Sequence, residues 1–185
     1  MKKIFPIAAA VIVAIIVIWL LVTIQDEGEV VAAAPYEYQY PAGFELSEKN
    51  SDGENYQEVY VHSTADATFL TNIWITVIPG TISESLELHA EETLEITRSD
   101  PQVENIDVVE ESEMPIDGVD GYFLSTILTD NEGSFSQKQV FYEKDDRIVY
   151  ITFSTSNDAF EGLEPAFDAS ISTFQLTGSE SAIEI

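Results

Sequence analysis

Residues 121–154 read GYFLSTILTDNEGSFSQKQVFYEKDDRIVYITFS, and this stretch decides the fold. Three segments within it, Gly121–Thr129, Ser134–Glu143 and Arg147–Ser154, are rich in β-branched and aromatic residues. Such side chains suit a pleated, half-buried surface. Asp130-Asn131-Glu132-Gly133 and Lys144-Asp145-Asp146 separate the segments and have the composition of tight turns. Short turns between consecutive strands allow only antiparallel pairing, so the stretch predicts a three-stranded meander. Phe135 and Phe141 fall on one face of its middle strand, and Val149, Ile151 and Phe153 on one face of its third. These side chains supply core material.

Upstream, Glu58–His62 and Thr71–Ile78 also alternate with period two. Val59 and Val61 share a face in the first, and Ile73, Ile75 and Val77 oppose Trp74, Thr76 and Ile78 in the second, so both read as strands. Between them and the meander, Thr81–Arg98 changes to helical spacing. Thr81 with Glu84 fits a capping box, Leu86, Ala90, Leu94 and Thr97 lie on one face, and Glu87, Glu91 and Glu95 lie on another. The run Glu104–Glu113, ENIDVVEESE, reads as a solvated edge strand or loop rather than a cation site. After the meander, Asn157–Phe174 starts on a good N-cap but contains Gly162 and Pro165. It predicts one turn followed by a helix from about Glu164, with Pro165 in the tolerated first turn and Phe167 and Ile171 inward. Strands, helix, meander, helix is the order of an α+β fold, a central antiparallel sheet covered by helices, and not of a parallel βαβ fold.

The chain at this point resembles the PsbP-like family. The residues that carry the resemblance are YPAGFEL at Tyr40–Leu46, NIWITVIPG at Asn72–Gly80, IDGVDGYFL at Ile116–Leu124, QVFYEKDDRIVYITFST at Gln139–Thr155 and FEGLEPAFDASISTF at Phe160–Phe174. They cover roughly 36–176. The resemblance implies an α/β/α sandwich used as a docking or accessory module. Function does not transfer with the fold, and no residue is carried over, since the metal and docking residues of the photosystem members have no recognisable counterpart in this sequence.

Ile4–Ile24 is an uncharged apolar run of 21 residues with Pro6 near its start and Trp19 near its end. As a helix it spans about 31 Å, enough to cross a bilayer. A cleaved signal peptide competes with this reading, since Lys2 and Lys3 precede the run and Ala32-Ala33-Ala34 follow it. The length of the run and the polar Gln25–Glu29 insert favour an uncleaved signal anchor. Lys2 and Lys3 then place the N-terminus in the cytoplasm and the remainder outside the cell membrane. The expected organisation is a cytoplasmic tip and transmembrane helix over 1–24, a linker over 25–35, the folded domain over 36–176 and a polar tail over 177–185.

The chain has 34 acidic and 7 basic residues and a net charge of −27, which repels phosphate backbones and rules against nucleic-acid binding. The acidity reads as solubility, in high salt if need be, or as a surface that gathers divalent cations or a basic partner. There is no cysteine, so thiol nucleophiles, thiolate metal sites and disulfides are excluded. Nucleophile-elbow and phosphate-loop motifs are also missing.

His62 and His89 are the only histidines. His89 lies beside Glu92 on an acidic helix but lacks the His-Glu-x-x-His pairing of zinc proteases. Among the 34 carboxylates no pair has a distinguishing spacing for hydrolysis. Two oxygen-rich turns, Asp117-Gly118-Val119-Asp120-Gly121 and Asn50-Ser51-Asp52-Gly53-Glu54, make Asp117, Asp120, Asp52 and Glu54 weak calcium candidates, although neither turn is an EF-hand loop. Tyr36, Tyr38 and Tyr40 project to one face of an extended segment. With Trp74 they form a candidate partner-binding set, or else they pack the membrane-proximal strand against the sheet. The expected function is a non-catalytic, membrane-anchored module that docks to another envelope protein and needs no cofactor. The alternatives are an extracytoplasmic calcium-binding domain and a carboxylate-based hydrolase.

Overall fold

The computed structural model describes residues 34–52, 55–62, 71–131 and 133–177. The expected membrane span, most of the linker, Glu54 and the C-terminal tail beyond Thr177 lie outside the described residues. No helix among the described residues is long and apolar enough to cross a membrane.

Seven strands form one antiparallel sheet: β2 (Phe44–Asp52), β3 (Asn55–His62), β4 (Asn72–Pro79), β5 (Val103–Ile116), β6 (Val119–Asp130), β7 (Gly133–Lys144) and β8 (Arg147–Ser156). Their spatial order is β2-β3-β4-β8-β7-β6-β5. A second, two-stranded sheet pairs β1 (Tyr36–Glu37) with β9 (Gln175–Leu176). Helix α1 (Leu86–Arg98) carries the chain from β4 to the far edge at β5, from which the strands step back until β8 lies beside β4. Helix α2 (Asn157–Ile171) follows β8.

The meander expected over 121–154 is present and longer than expected, occupying β6 to β8. At the β7–β8 turn Lys144 pairs with Arg147, and Asp145 and Asp146 have φ of 53° and 56°. Two consecutive left-handed residues match the right-handed twist of the flanking strands, which fixes the register. Because side chains alternate, Val140 and Tyr142 face one side of the sheet and Phe141 the other. Val140, Tyr142, Val149, Ile151 and Phe153 pack with Phe167 and Ile171 of α2. Phe141 and Tyr122 pack with Ala90 of α1, and Phe135 packs with Leu128 in a separate small cluster. Phe135 and Phe141 of β7 thus serve one face of the sheet, and Tyr142 of β7 with the apolar face of β8 the other, so that the sheet lies between two helices in an α/β/α arrangement.

Both helices differ from expectation at their starts. Helix α1 begins at Leu86 with Ser85 as N-cap, whose side chain accepts the Leu88 N–H at 3.2 Å. Thr81 and Glu84 precede the helix, and no capping box forms between them. The loop before the helix is tied down instead, with Gly80 N–H bonded to the Asp146 carbonyl and Ile82 N–H to the Glu143 carboxylate. The expected core face holds, since Ala90, Leu94 and Thr97 are buried.

Helix α2 runs unbroken through Pro165, so the expected restart near Glu164 is corrected. A proline inside a helix forfeits one backbone hydrogen bond. Phe167 and Ile171, both almost fully buried, stabilise the helix by about 1.5–3 kcal/mol each and offset that loss. Lys138 of β7 bonds to Glu164 and Asp168 on either side of the proline, at 2.9 and 2.8 Å.

Two oxygen-rich turns are shorter than expected. Asn50–Asp52 belongs to β2, and only Asp117 and Gly118 form the β5–β6 turn. Glu104–Glu113 lies within the edge strand β5.

Candidate functional site

Tyr56, Glu58 and Tyr60 alternate along β3 and therefore share one face. The sequence suggests Val59 and Val61 as the apolar face of this strand, but it is the tyrosine–glutamate face that joins the main core beneath α2. Val59 is buried on the opposite face.

Glu58 is 4% exposed, and its carboxylate accepts three tyrosine hydroxyls. Tyr36 donates at 2.5 Å, Tyr56 at 2.5 Å and Tyr60 at 2.6 Å. Lys49 of β2 lies 3.5 Å from the same carboxylate and over the Tyr56 ring. Burial alone would raise the Glu58 pKa, but the three hydroxyls and Lys49 outweigh it and hold the carboxyl below its usual value. Burial first, and then Glu58, pushes Tyr36, Tyr56 and Tyr60 upward, so all three remain donors. A buried charge with three charge-assisted hydrogen bonds and a cation beside it is a fully satisfied network.

This network fastens the N-terminal segment to the domain. The Tyr36 ring packs on Tyr56 and Phe174, and β1 pairs with β9. Thr177 N–H bonds to the Pro35 carbonyl, and Arg147 donates to the Thr177 carbonyl. Tyr38 shares a hydrogen bond with Ser170 of α2, and burial pushes its hydroxyl up to about 12. Gln39 N–H bonds to Thr173. The two ends of the described chain are thereby clamped together against β3 and α2.

The candidate residues of the sequence separate into different places. Tyr36 is consumed by the Glu58 network and Tyr38 by α2, whereas Tyr40 is 48% exposed with its ring 4.8 Å from Tyr60. Leu46, 49% exposed, sits directly across from Tyr60 in the β2–β3 register. Trp74 lies on β4 on the other face of the sheet, with a buried indole N–H that has no acceptor among the described residues. Asp117 is tied to Lys144 at 2.8 Å, accepts the Leu176 N–H at 2.8 Å and accepts the Tyr142 hydroxyl at 3.3 Å. It is a joint between the β5–β6 turn and β9. Asp120 is exposed in β6, Asp52 ends β2, and Glu54 lies outside the described residues.

Sequence reasoning missed Glu58. The signal was the period-two spacing Tyr56-x-Glu58-x-Tyr60, but an acid at its centre marks a solvent face by ordinary rules. That face becomes an inner one because Tyr36, 22 residues away, and the apolar residues of α2 join it in one core.

Seven antiparallel strands between two helices, with a clamped N-terminal entry, define an α+β sandwich domain. The chain belongs to the PsbP-like protein family, whose model matches residues 22–176. No curated protein matches the sequence.

Solved structures share the fold. The cyanobacterial PsbP of Synechocystis sp. PCC 6803 is similar with a TM-score of 0.57 and 14% identity, over 77% of this chain and 86% of that one. The Ran-binding protein Mog1p of Saccharomyces cerevisiae is similar with a TM-score of 0.54 and 13% identity, over 78% and 92%. LpqN of Mycobacterium tuberculosis, involved in cell envelope biogenesis, is similar with a TM-score of 0.51 and 14% identity, over 77% and 83%. At such identities the likeness establishes the fold.

Proposed function

We propose that this chain is a non-catalytic accessory module, anchored in the cell membrane by residues 4–24 with its N-terminus in the cytoplasm, whose outward domain docks to another envelope protein. The observation that carries this reading is the exposed pair Tyr40 and Leu46, which flanks Tyr60 immediately beside the clamp at residues 35–39. A tyrosine left half in water next to a rigid support suits a partner interface, where tyrosine is enriched, and Leu46 adds apolar surface beside it. Of the three tyrosines singled out by the sequence, Tyr40 is the one a partner reaches first.

Anchoring raises the effective concentration of the domain toward other proteins of the same membrane. Mog1p is a Ran-binding protein and LpqN is involved in cell envelope biogenesis, and both support a binding role for this architecture.

The test is site-specific photo-crosslinking in membranes carrying the full chain. A crosslinker placed at Tyr40 or Leu46 should trap a defined envelope protein, while one at Val109 on the β5 edge should not. Only background adducts from Tyr40 and Leu46 would sink the docking surface. Because the chain has no cysteine, a single Glu45→Cys reporter gives a clean topology assay. Labelling of intact cells by an impermeant maleimide is expected, and its failure in cells whose lysate labels would overturn the outward orientation.

A further inference from the structure

Helix α1 carries a second cluster, separate from the Glu58 network. Glu84 lies just before the N-cap Ser85, His89 is in the first turns of the helix, and Glu92 follows one turn later. One ligand atom from each of the three lies within 4.8 Å of the others. This grouping follows from the late start of α1. With Glu84 outside the helix, its carboxylate turns back toward the imidazole, and His89 Nδ1 lies 3.7 Å from Glu84 Oε1. The tethering of Gly80 to Asp146 and of Ile82 to Glu143 holds the loop in that position.

The imidazole is oriented from behind. His89 Nε2 is 2.8 Å from the Tyr150 hydroxyl, and the ring packs against Phe141 and Tyr150 at 5.4 and 5.9 Å. A metal on Nδ1 requires the proton on Nε2, and the Tyr150 oxygen stands where it can accept that proton. Histidine ligands are commonly fixed in this way, through a hydrogen bond from the nitrogen that does not bind the metal. The other nitrogen, Nδ1, lies 3.7 Å from the Glu84 carboxylate.

We propose that Glu84, His89 and Glu92 form a binding site for a divalent transition-metal ion of the zinc class. A tetrahedral ion with ligands about 2.0–2.1 Å away holds them about 3.3 Å apart, so small side-chain rotations close the cluster. One imidazole and two carboxylates leave at least one position for water or for a partner's side chain. The imidazole makes the choice of metal, because calcium and magnesium prefer all-oxygen sites. The remaining acids of the chain concentrate cations near the surface but supply no nitrogen ligand of this kind.

The test is a Zn2+ titration of the full chain in detergent, by calorimetry and by competition with a chromogenic chelator, with 5 mM Ca2+ present throughout. One saturable Zn2+ per chain is expected. Glu92→Gln and His89→Gln should each weaken it by about 10–100-fold or more, and Tyr150→Phe should weaken it by a smaller factor. Glu92 is exposed, so its variant keeps the test sound even if His89→Gln folds poorly. Control variants Glu110→Gln and Glu111→Gln on β5 should bind as the parent does. Zn2+ binding that is non-stoichiometric, displaced by Ca2+, or unchanged in Glu92→Gln and His89→Gln would show only diffuse attraction to an acidic surface and overturn the proposal.

Discussion

Tyr36 donates its hydroxyl to the buried carboxylate of Glu58 at 2.5 Å, joining the segment that enters the domain to the centre of β3. Tyr56 and Tyr60 bind the same carboxylate from within the strand, so the contact has a preformed receptor. Removing the Tyr36 hydroxyl should therefore loosen the entry segment more than the sheet. In Tyr36→Phe, Glu58 keeps two tyrosine donors, and the loss should be about 1.5–3 kcal/mol. Glu58→Ala leaves three buried hydroxyls without their acceptor, and it should cost about 3–5 kcal/mol. Urea unfolding of the two variants, together with amide exchange at residues 36–39, measures both the size and the location of the effect.

The same network predicts how stability responds to acid. The folded-state pKa of Glu58 lies below its usual 4.5. Its stabilisation is therefore complete above that value and is lost as pH falls through the folded-state pKa. The stability gap between the parent and Glu58→Gln should be widest near neutral pH and should shrink below about pH 4.5. A gap of constant size from pH 7 to pH 3 would contradict the network as described.

The start of α1 can be tested by two substitutions four residues apart. Ser85→Ala removes the side-chain acceptor of the Leu88 N–H and should destabilise the domain by about 1 kcal/mol. Thr81→Ala should be within about 0.5 kcal/mol of neutral, since Thr81 is exposed and lies ahead of the helix. The opposite ranking in thermal or urea unfolding would restore a capping box at Thr81.

Gly43 closes the Pro41-Ala42-Gly43 turn with φ of 90°, and a Cβ there would stand 2.6 Å from the His62 imidazole. Gly43→Ala combines backbone strain with displacement of a ring that packs on Phe44. A loss of about 1–3 kcal/mol is expected. Gly118→Ala tests backbone strain alone, because its φ is 78° and a Cβ there meets nothing within 4 Å. It should cost less than Gly43→Ala.

The fold was legible wherever side-chain period and turn chemistry agreed. In 121–154 the alternation, the turn residues and the aromatic content all specified an antiparallel meander, and the register of β6 to β8 follows it. The buried face of α1 was legible for the same reason, since Ala90, Leu94 and Thr97 lie where helical spacing puts them. Helix boundaries were less legible. Thr81 and Ser85 are both capping residues, and the choice between them was made by contacts of the preceding loop with Glu143 and Asp146. Pro165 signalled a break by local rules, but the burial of Phe167 and Ile171 carries α2 through it.

The sequence by itself determined an antiparallel α+β domain of the PsbP-like family, its strand meander and the inward faces of its helices, because periods of two and 3.6 residues are written locally. Tertiary structure alone decided that Glu58 faces inward, that Tyr36 and Tyr38 are spent in packing while Tyr40 stays exposed, and that Glu84 meets His89 and Glu92. Each of these depends on groups brought together by the fold. A carboxylate is stable in the core only when donors from other parts of the chain surround it, and no local pattern encodes their arrival.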